Sequence, residues 1–214
     1  LKAQSILSNL TKWIYNRISK WDKNTLKTVL SIEYGGMNDC LYEYYRLSGN
    51  KTALECAKIF DDENLFKTIA YSKKEQNILN GRHANTTIPK FTGALNRYVV
   101  TGEKRFFEYA KRFWKIVTSS HTYVTGGNST WEHFGEDNKL YSKLSNCNCE
   151  TCNSYNMLKL TNLLFMITGK KEYADWYEHT FINSILSSQN PESGMTTYFQ
   201  PMATGFFKVY STYS

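Results

Sequence analysis

Tyr44-Tyr45-Arg46-Leu47-Ser48-Gly49-Asn50-Lys51, Tyr98-Val99-Val100-Thr101-Gly102-Glu103-Lys104 and Phe165-Met166-Ile167-Thr168-Gly169-Lys170-Lys171 are three copies of one pattern. Each is an apolar helical run, a small or hydroxylated residue, a glycine, and a charged restart. Glycine just past a helix end takes the left-handed conformation that satisfies the last orphan carbonyls, so each copy reads as a helix stop followed by a turn. The apolar pattern then resumes in register: Ala53, Leu54, Cys56 and Ala57 match Phe106, Phe107, Tyr109 and Ala110, and then Tyr173, Ala174, Trp176 and Tyr177. Helix pairs of this kind cannot bury their apolar faces alone and stack into a solenoid or close into a toroid. An all-α fold follows. Ile6, Leu7, Leu10, Trp13, Ile14 and Ile18 recur at helical spacing and predict a further helical layer at the start of the chain. Strand signals are confined to weak alternation over Thr196 to Gln200 and Phe206 to Tyr213, which predicts a few short strands near the C-terminus.

Composition supports an ordered core. The 214 residues are 41% hydrophobic and 15% aromatic, with only three prolines, and suffice for one domain over 1–214 or part of a larger one. The net charge of +7 comes from basic residues interleaved with acids, and the densest basic groups, Lys73-Lys74 and Lys170-Lys171, read as solvated helix ends, which speaks against a nucleic-acid partner. No apolar run has the length of a membrane span, so no membrane partner is expected. Five cysteines are an odd number without the spacing of a disulfide framework, and Cys40 and Cys56 lie in helical patterns that predict small buried hydrophobes.

The chemistry gathers in two places. Cys147-Asn148-Cys149-Glu150-Thr151-Cys152 supplies three thiols and a carboxylate, the donor types zinc prefers. Glu150 and Cys152 sit at the mouth of a predicted helix, where two ligands can converge on one ion. Upstream, the non-helical stretch from His121 to Asn148 holds Gly126-Gly127, His133 and Glu136, and loops of that length in helical domains are commonly functional. Two further polar loops precede helices: Glu33-Tyr34-Gly35-Gly36-Met37-Asn38-Asp39, and His83-Ala84-Asn85-Thr86-Thr87-Ile88-Pro89, where Thr86 or Thr87 is expected to cap. One polar loop per hairpin predicts a shared rim at which His83, Asn85, His133 and Asn38 bind substrate.

Taken in order, Glu33 to Asp39, His83 to Thr86 with Ile88-Pro89-Lys90, Thr125-Gly126-Gly127, His133-Phe134-Gly135-Glu136, and Glu150-Thr151-Cys152 with Tyr155 to Leu160 resemble the cysteine-dependent β-L-arabinofuranosidase family of retaining glycoside hydrolases. The resemblance implies an (α/α)6 barrel with appended β-sandwich domains and a carbohydrate substrate, an arabinose-containing glycan. It maps the general acid/base onto Glu136 and two zinc ligands onto Glu150 and Cys152. The family's other two ligands are an adjacent cysteine pair, one of which is also the nucleophile, and no adjacent pair occurs in this sequence. The expectation is therefore a partial catalytic barrel whose C-terminal part and β-sandwich domains lie beyond Ser214, with an incomplete zinc site, no activity alone and self-association through an exposed barrel interior. A bacterial protein of this kind is cytoplasmic or exported. Two alternatives stay open: a non-catalytic helical-hairpin scaffold that binds glycan or protein, with Cys147, Cys149, Cys152 and Glu150 as a structural zinc knot, and another hairpin-toroid enzyme such as a polysaccharide lyase or unsaturated-uronyl hydrolase.

Overall fold

A computed structural model describes residues 2–32, 35–73 and 76–211; Glu33, Tyr34, Lys74 and Tyr213 of the motifs above lie outside them. The described residues form nine α-helices: α1 (Lys2–Ile18), α2 (Lys23–Ser31), α3 (Met37–Ser48), α4 (Lys51–Ile59), α5 (Glu63–Tyr71), α6 (Ala84–Thr101), α7 (Lys104–Ile116), α8 (Thr151–Thr168) and α9 (Lys171–Thr180). The glycine punctuation works as expected. Gly49, Gly102 and Gly169 have φ of 68°, 73° and 64°, and their N–H groups bond the carbonyls of Tyr45, Tyr98 and Phe165. Each stop turns the chain into an antiparallel partner, which gives the hairpins α3–α4, α6–α7 and α8–α9.

Helix α6 is the hub and packs against α3, α7 and α8. Twelve of its residues are buried, because it is covered on several sides. Phe66, Phe91, Phe106, Phe113, Leu95, Met157, Leu160 and Tyr173 fill the main core, with the Phe91 and Phe113 rings stacked 3.9 Å apart. A smaller core of Leu41, Tyr42, Ala53, Cys56, Ala57 and Phe60 joins α3 to α4. Of the repeat's matched positions, Ala53, Cys56, Ala57, Phe106, Tyr109, Ala110 and Tyr173 are buried, Leu54, Phe107, Ala174 and Trp176 are half-buried, and Tyr177 is exposed.

A polar seam runs through this apolar setting. The buried Asp61 carboxylate accepts hydrogen bonds from Tyr42 (2.6 Å) and Asn38 (3.0 Å) on α3 and from Arg97 (2.8 Å) on α6. Arg97 continues to Glu103 at 2.9 Å, at the start of α7, and its guanidinium lies 3.9 Å over the Phe106 ring. Beside it, Asp39 of α3 accepts from Asn96 of α6 (2.7 Å) and Lys159 of α8 (2.9 Å). Asn38 is thus completely buried, its amide donating to Asp61 and to the Lys90 carbonyl and its oxygen accepting from the Asp39 N–H, so it is a structural residue and not the sugar contact expected above.

The helical layer expected at the start of the chain forms, with α1 meeting α4 along the Thr11 edge, where the Cys56 thiol reaches the Thr11 carbonyl; of its apolar stripe Ile14 and Ile18 join the smaller core, while Ile6, Leu7, Leu10 and Trp13 are exposed. Two other expectations are corrected. Cys40 is exposed, because the buried face of α3 is the one carrying Asn38, Asp39, Leu41 and Tyr42. The C-terminal stretches make single bridges, Gln189 to Thr196 and Thr197 to Tyr210, and no strand forms among the described residues, since each partner segment turns away after one residue.

Removing one partner of a buried ion pair leaves the other charge uncompensated, which costs about 3–5 kcal/mol. Arg97→Met is therefore expected to destabilise the fold by that order in urea unfolding, whereas Tyr42→Phe, which removes one hydrogen bond to the charged Asp61, costs about 1.5–3 kcal/mol. Equal midpoints for wild type and Arg97→Met would show that Asp61 is not charged in the folded chain.

Candidate functional site

The openings of α3, α6 and α8 come together. Gly35, just before α3, approaches the Thr86 backbone so closely that a Cβ at that position would lie 3.0 Å from it. Asn156 on α8 donates to Asn85 on α6 at 2.6 Å. Helix α6 starts earlier than Pro89 and its threonines suggest. Its N-cap is His83, whose Nδ1 accepts from the Thr86 N–H, while Thr86 and Thr87 return their hydroxyls to the His83 carbonyl and Pro89 lies inside the helix.

The segment between His121 and Glu150 is folded over these openings by isolated bridges and one well-connected amide. Backbone bonds run from Ala84 N to Glu132 O (2.8 Å), from Phe134 N to Arg82 O (2.9 Å) and from Trp131 N to Cys147 O (2.9 Å). The Asn148 amide reaches Tyr123, Thr130 and the Lys143 carbonyl, and its oxygen accepts from Ser145 N at 2.7 Å. Gly127 has no room for a side chain, since a Cβ would lie 2.5 Å from that of Cys149. Trp131 and Glu132 both take positive φ, 47° and 67°, an uncommon backbone for residues with side chains. This turn aims Glu132 back over the helix openings.

Glu132, and not Glu136, is the carboxylate that results. Glu132 Oε2 lies 3.3 Å from His83 Nε2, and Glu132 Oε1 accepts from the Tyr198 hydroxyl at 2.6 Å. The same hydroxyl is 2.8 Å from Glu150 Oε1. A phenol has one proton, so at any moment Tyr198 donates to one of the two carboxylates. Tyr198 holds the Glu132 carboxyl below the usual carboxylate range, with help from His83, while the two glutamates push the Tyr198 phenol well up. Glu136 is exposed and lines a small cleft with His121, Tyr123, Phe134 and Lys139; among the described residues no hydrogen bond or ion pair joins its side chain to Glu132, Glu150 or Cys152. His133 is at the site: its ring meets that of His83 edge-on at 5.2 Å, and its Nδ1 is 2.6 Å from the Trp131 carbonyl. Asn85 faces α8 through Asn156.

Glu150 is buried at the N-cap of α8, and its Oε2 has no hydrogen-bond partner among the described residues. The Cys152 thiol is bonded to the Glu150 side chain, and burial together with that carboxylate pushes it up to about 11. A buried carboxylate oxygen without a partner, beside a thiol held protonated by it, fits two positions of a zinc site, where the ion would favour the thiolate. Among the described residues no three His, Cys, Asp or Glu side chains converge on one point. Cys149 is instead packed under Gly127, bonded by Thr125, with its thiol pushed up to about 12 by burial. Glu132 and Tyr198 were missed in the sequence because they stand alone, with no apolar period or ligand spacing around them. The one available signal for Glu132 was its place between the Gly-Gly turn and His133.

The model of the beta-L-arabinofuranosidase, GH127 catalytic domain, matches residues 2–214. Among solved structures, a GH127 beta-arabinofuranosidase superposes with a TM-score of 0.64 at 22% identity, over 79% of this chain and 28% of that one. A GH127 beta-L-arabinofuranosidase from Geobacillus stearothermophilus T6 gives 0.63 at 16% identity, over 79% of this chain and 31% of that one. An alpha-1,6-mannanase of Salegentibacter sp., inactive by substitution and complexed with alpha-1,6-mannotriose, gives 0.58 at 17% identity, over 82% of this chain and 46% of that one. This chain thus spans less than half the length of each of these structures, and the likeness to them is one of helical-toroid fold. No curated protein sequence matches the chain. With the catalytic-domain model matching residues 2–214, the chain belongs to the GH127 beta-L-arabinofuranosidase family.

Proposed function

We propose that the chain is part of the catalytic barrel of a retaining glycoside hydrolase acting on β-L-arabinofuranosides, and that Glu132 is its proton donor. The observation that carries this reading is the Glu132–Tyr198–Glu150 bridge, which sets one carboxylate at the helix openings against another beside a thiol. Retaining glycoside hydrolysis needs an acid that protonates the departing oxygen and then, as a base, takes a proton from the water that releases the sugar. In this structure Glu132 is in the base form, held by Tyr198 and His83. A sugar seated on it would exclude water and displace the Tyr198 bond, both of which raise its proton affinity toward the acid role.

Glu150 and Cys152 would hold zinc as two of four ligands, and the ion supplies a lowered proton affinity for the thiols bound to it. Neither residue donates the proton. The nucleophile and the other two ligands are assigned to a cysteine pair outside these 214 residues, since no two cysteines are adjacent in them. His83, His133 and Asn85 line the sugar side. Glu136, which the motif reading made the acid/base, is the competing candidate.

The chain alone is expected to give no turnover of an aryl β-L-arabinofuranoside. Joined to a GH127 segment that carries the cysteine pair it should turn over, and there Glu132→Gln should lower kcat/KM by roughly 10²–10⁴-fold for a poor leaving group. Glu136→Gln should stay within about threefold, an ordinary surface effect. The reverse order of the two variants would return the proton donor to Glu136. Alkylation of Cys152, followed by mass spectrometry, reads the metal side: Glu150→Gln should speed it roughly threefold or more by removing the adjacent negative charge. Added zinc should protect Cys152 in wild type and not in Glu150→Gln. Protection of Cys147 and Cys149 instead would favour the structural knot and the scaffold reading. The exposed stripe Ile6, Leu7, Leu10 and Trp13 supports self-association of the isolated chain, for which light scattering should show a mass above the monomer; a monodisperse monomer counts against it.

A further inference from the structure

We propose that His83 is a positioning residue for Glu132, and that the backbone of α6 dictates the ring tautomer that makes it one. The inference rests on the reading of Glu132 as proton donor for its consequence, and on geometry alone for the ring. His83 stands at the N-cap of α6 with φ of −65° and ψ of 119°, and the Thr86 N–H points at its Nδ1 from 3.3 Å. A backbone N–H is always a donor, so the atom it faces must be an acceptor. Nδ1 therefore carries no proton, and the neutral ring carries its proton on Nε2. A protonated or Nδ1–H ring would set two donors against each other and leave an N–H of the first turn without a partner. The Thr86 hydroxyl, 3.4 Å from both Nδ1 and the His83 carbonyl, leaves this unchanged, because it has the carbonyl to donate to.

With the proton on Nε2, the ring turns a donor toward Glu132 Oε2, 3.3 Å away. Tyr198 holds the other oxygen, Oε1. The carboxylate is thus gripped at both oxygens, and one grip is fixed by a helix start. His83 serves as an N-cap in a position usually filled by Ser, Thr, Asp or Asn, which cap as well and do not extend to Glu132. Length beyond the cap is what a histidine adds.

The other three histidines provide an internal comparison. His179 Nε2 faces the Val124 carbonyl at 2.8 Å, so that ring carries the proton on Nε2; His121 Nε2 lies 3.0 Å from Asp137 Oδ1 without a hydrogen bond, and no main-chain group sets its tautomer there. His133 Nδ1 faces the Trp131 carbonyl at 2.6 Å, so that ring is the Nδ1–H form. The two rings that meet edge-on at the site are therefore opposite tautomers, each fixed by a main-chain group.

The test is a long-range proton–nitrogen correlation spectrum of the imidazoles at about pH 8, where unperturbed rings are neutral. The expected pattern is Nε2–H for His83 and His179, and Nδ1–H for His133; an Nδ1–H signature at His83 overturns the proposal. Two variants then separate capping from positioning. His83→Asn keeps a cap and loses the reach to Glu132, so its thermal midpoint stays near wild type, whereas His83→Ala lowers it by about 2–4 °C. In both, the carbon-13 titration of the Glu132 carboxyl moves to higher pH because a donor to the charged form is gone. An unmoved Glu132 titration in both variants reduces His83 to a cap and overturns the positioning role. Full turnover by Glu132→Gln in the joined protein would sink the proton-donor reading and leave the tautomer assignment standing.

Discussion

A single buried carboxylate, Asp61, sets the terms for the rest of the molecule. Burial pushes its proton affinity up, and only the donors around it, Tyr42, Asn38 and Arg97, pull the other way. Two of these come from α3 and one from α6, so the charge is tolerated in one relative position of the two helices only. Apolar side chains repack over small slips, whereas hydrogen bonds fail beyond a few tenths of an ångström. Asp39 repeats the device one residue away from Asn38, tying α3 to Asn96 of α6 and Lys159 of α8. The aromatic core provides cohesion, and the polar seam provides axial register.

Register matters because the chemistry stands at helix starts. Once α3, α6 and α8 are held level, Gly35 meets Thr86 and Asn85 meets Asn156, and the long segment before α8 has a fixed floor to fold on. Ala84 N to Glu132 O and Thr151 N to Tyr198 O are main-chain bonds between a helix start and a loop. They place Glu132 and Tyr198 with a precision that loops lacking such anchors do not reach. Glu150, at the N-cap of α8, then completes the triangle from the helix side.

The hairpin architecture was readable because glycine stops and apolar period are local properties, and Gly49, Gly102 and Gly169 behave as the pattern says. The resemblance to a family is matched by the catalytic-domain comparison over residues 2–214, and Glu150 and Cys152 lie at the start of α8. Other readings fell short where a long-range partner decides. The stripe on α1 is apolar at the right spacing and the helix forms, yet period says nothing about which of its residues meet a partner. Asn38 lies in a glycine-rich loop motif but points inward, because a buried aspartate 23 residues later needs its amide. The position of Glu132 over the helix openings turns on two consecutive residues with positive φ, which no hydrophobic pattern announces. The capping role expected of Thr86 or Thr87 falls to His83, whose ring also approaches Glu132.

Those two residues, Trp131 and Glu132, carry a further consequence. Side chains in the left-handed region cost of order 1 kcal/mol each relative to glycine or asparagine, so the turn that presents the carboxylate is held against its own local preference. A library of variants sorted by thermal stability alone would therefore tend to collect Gly or Asn at 131 and 132, and every gain at 132 would remove the glutamate itself. Selection for heat resistance and selection for chemistry oppose each other at this turn, and any effort to harden the protein has to keep it out of the sorted positions.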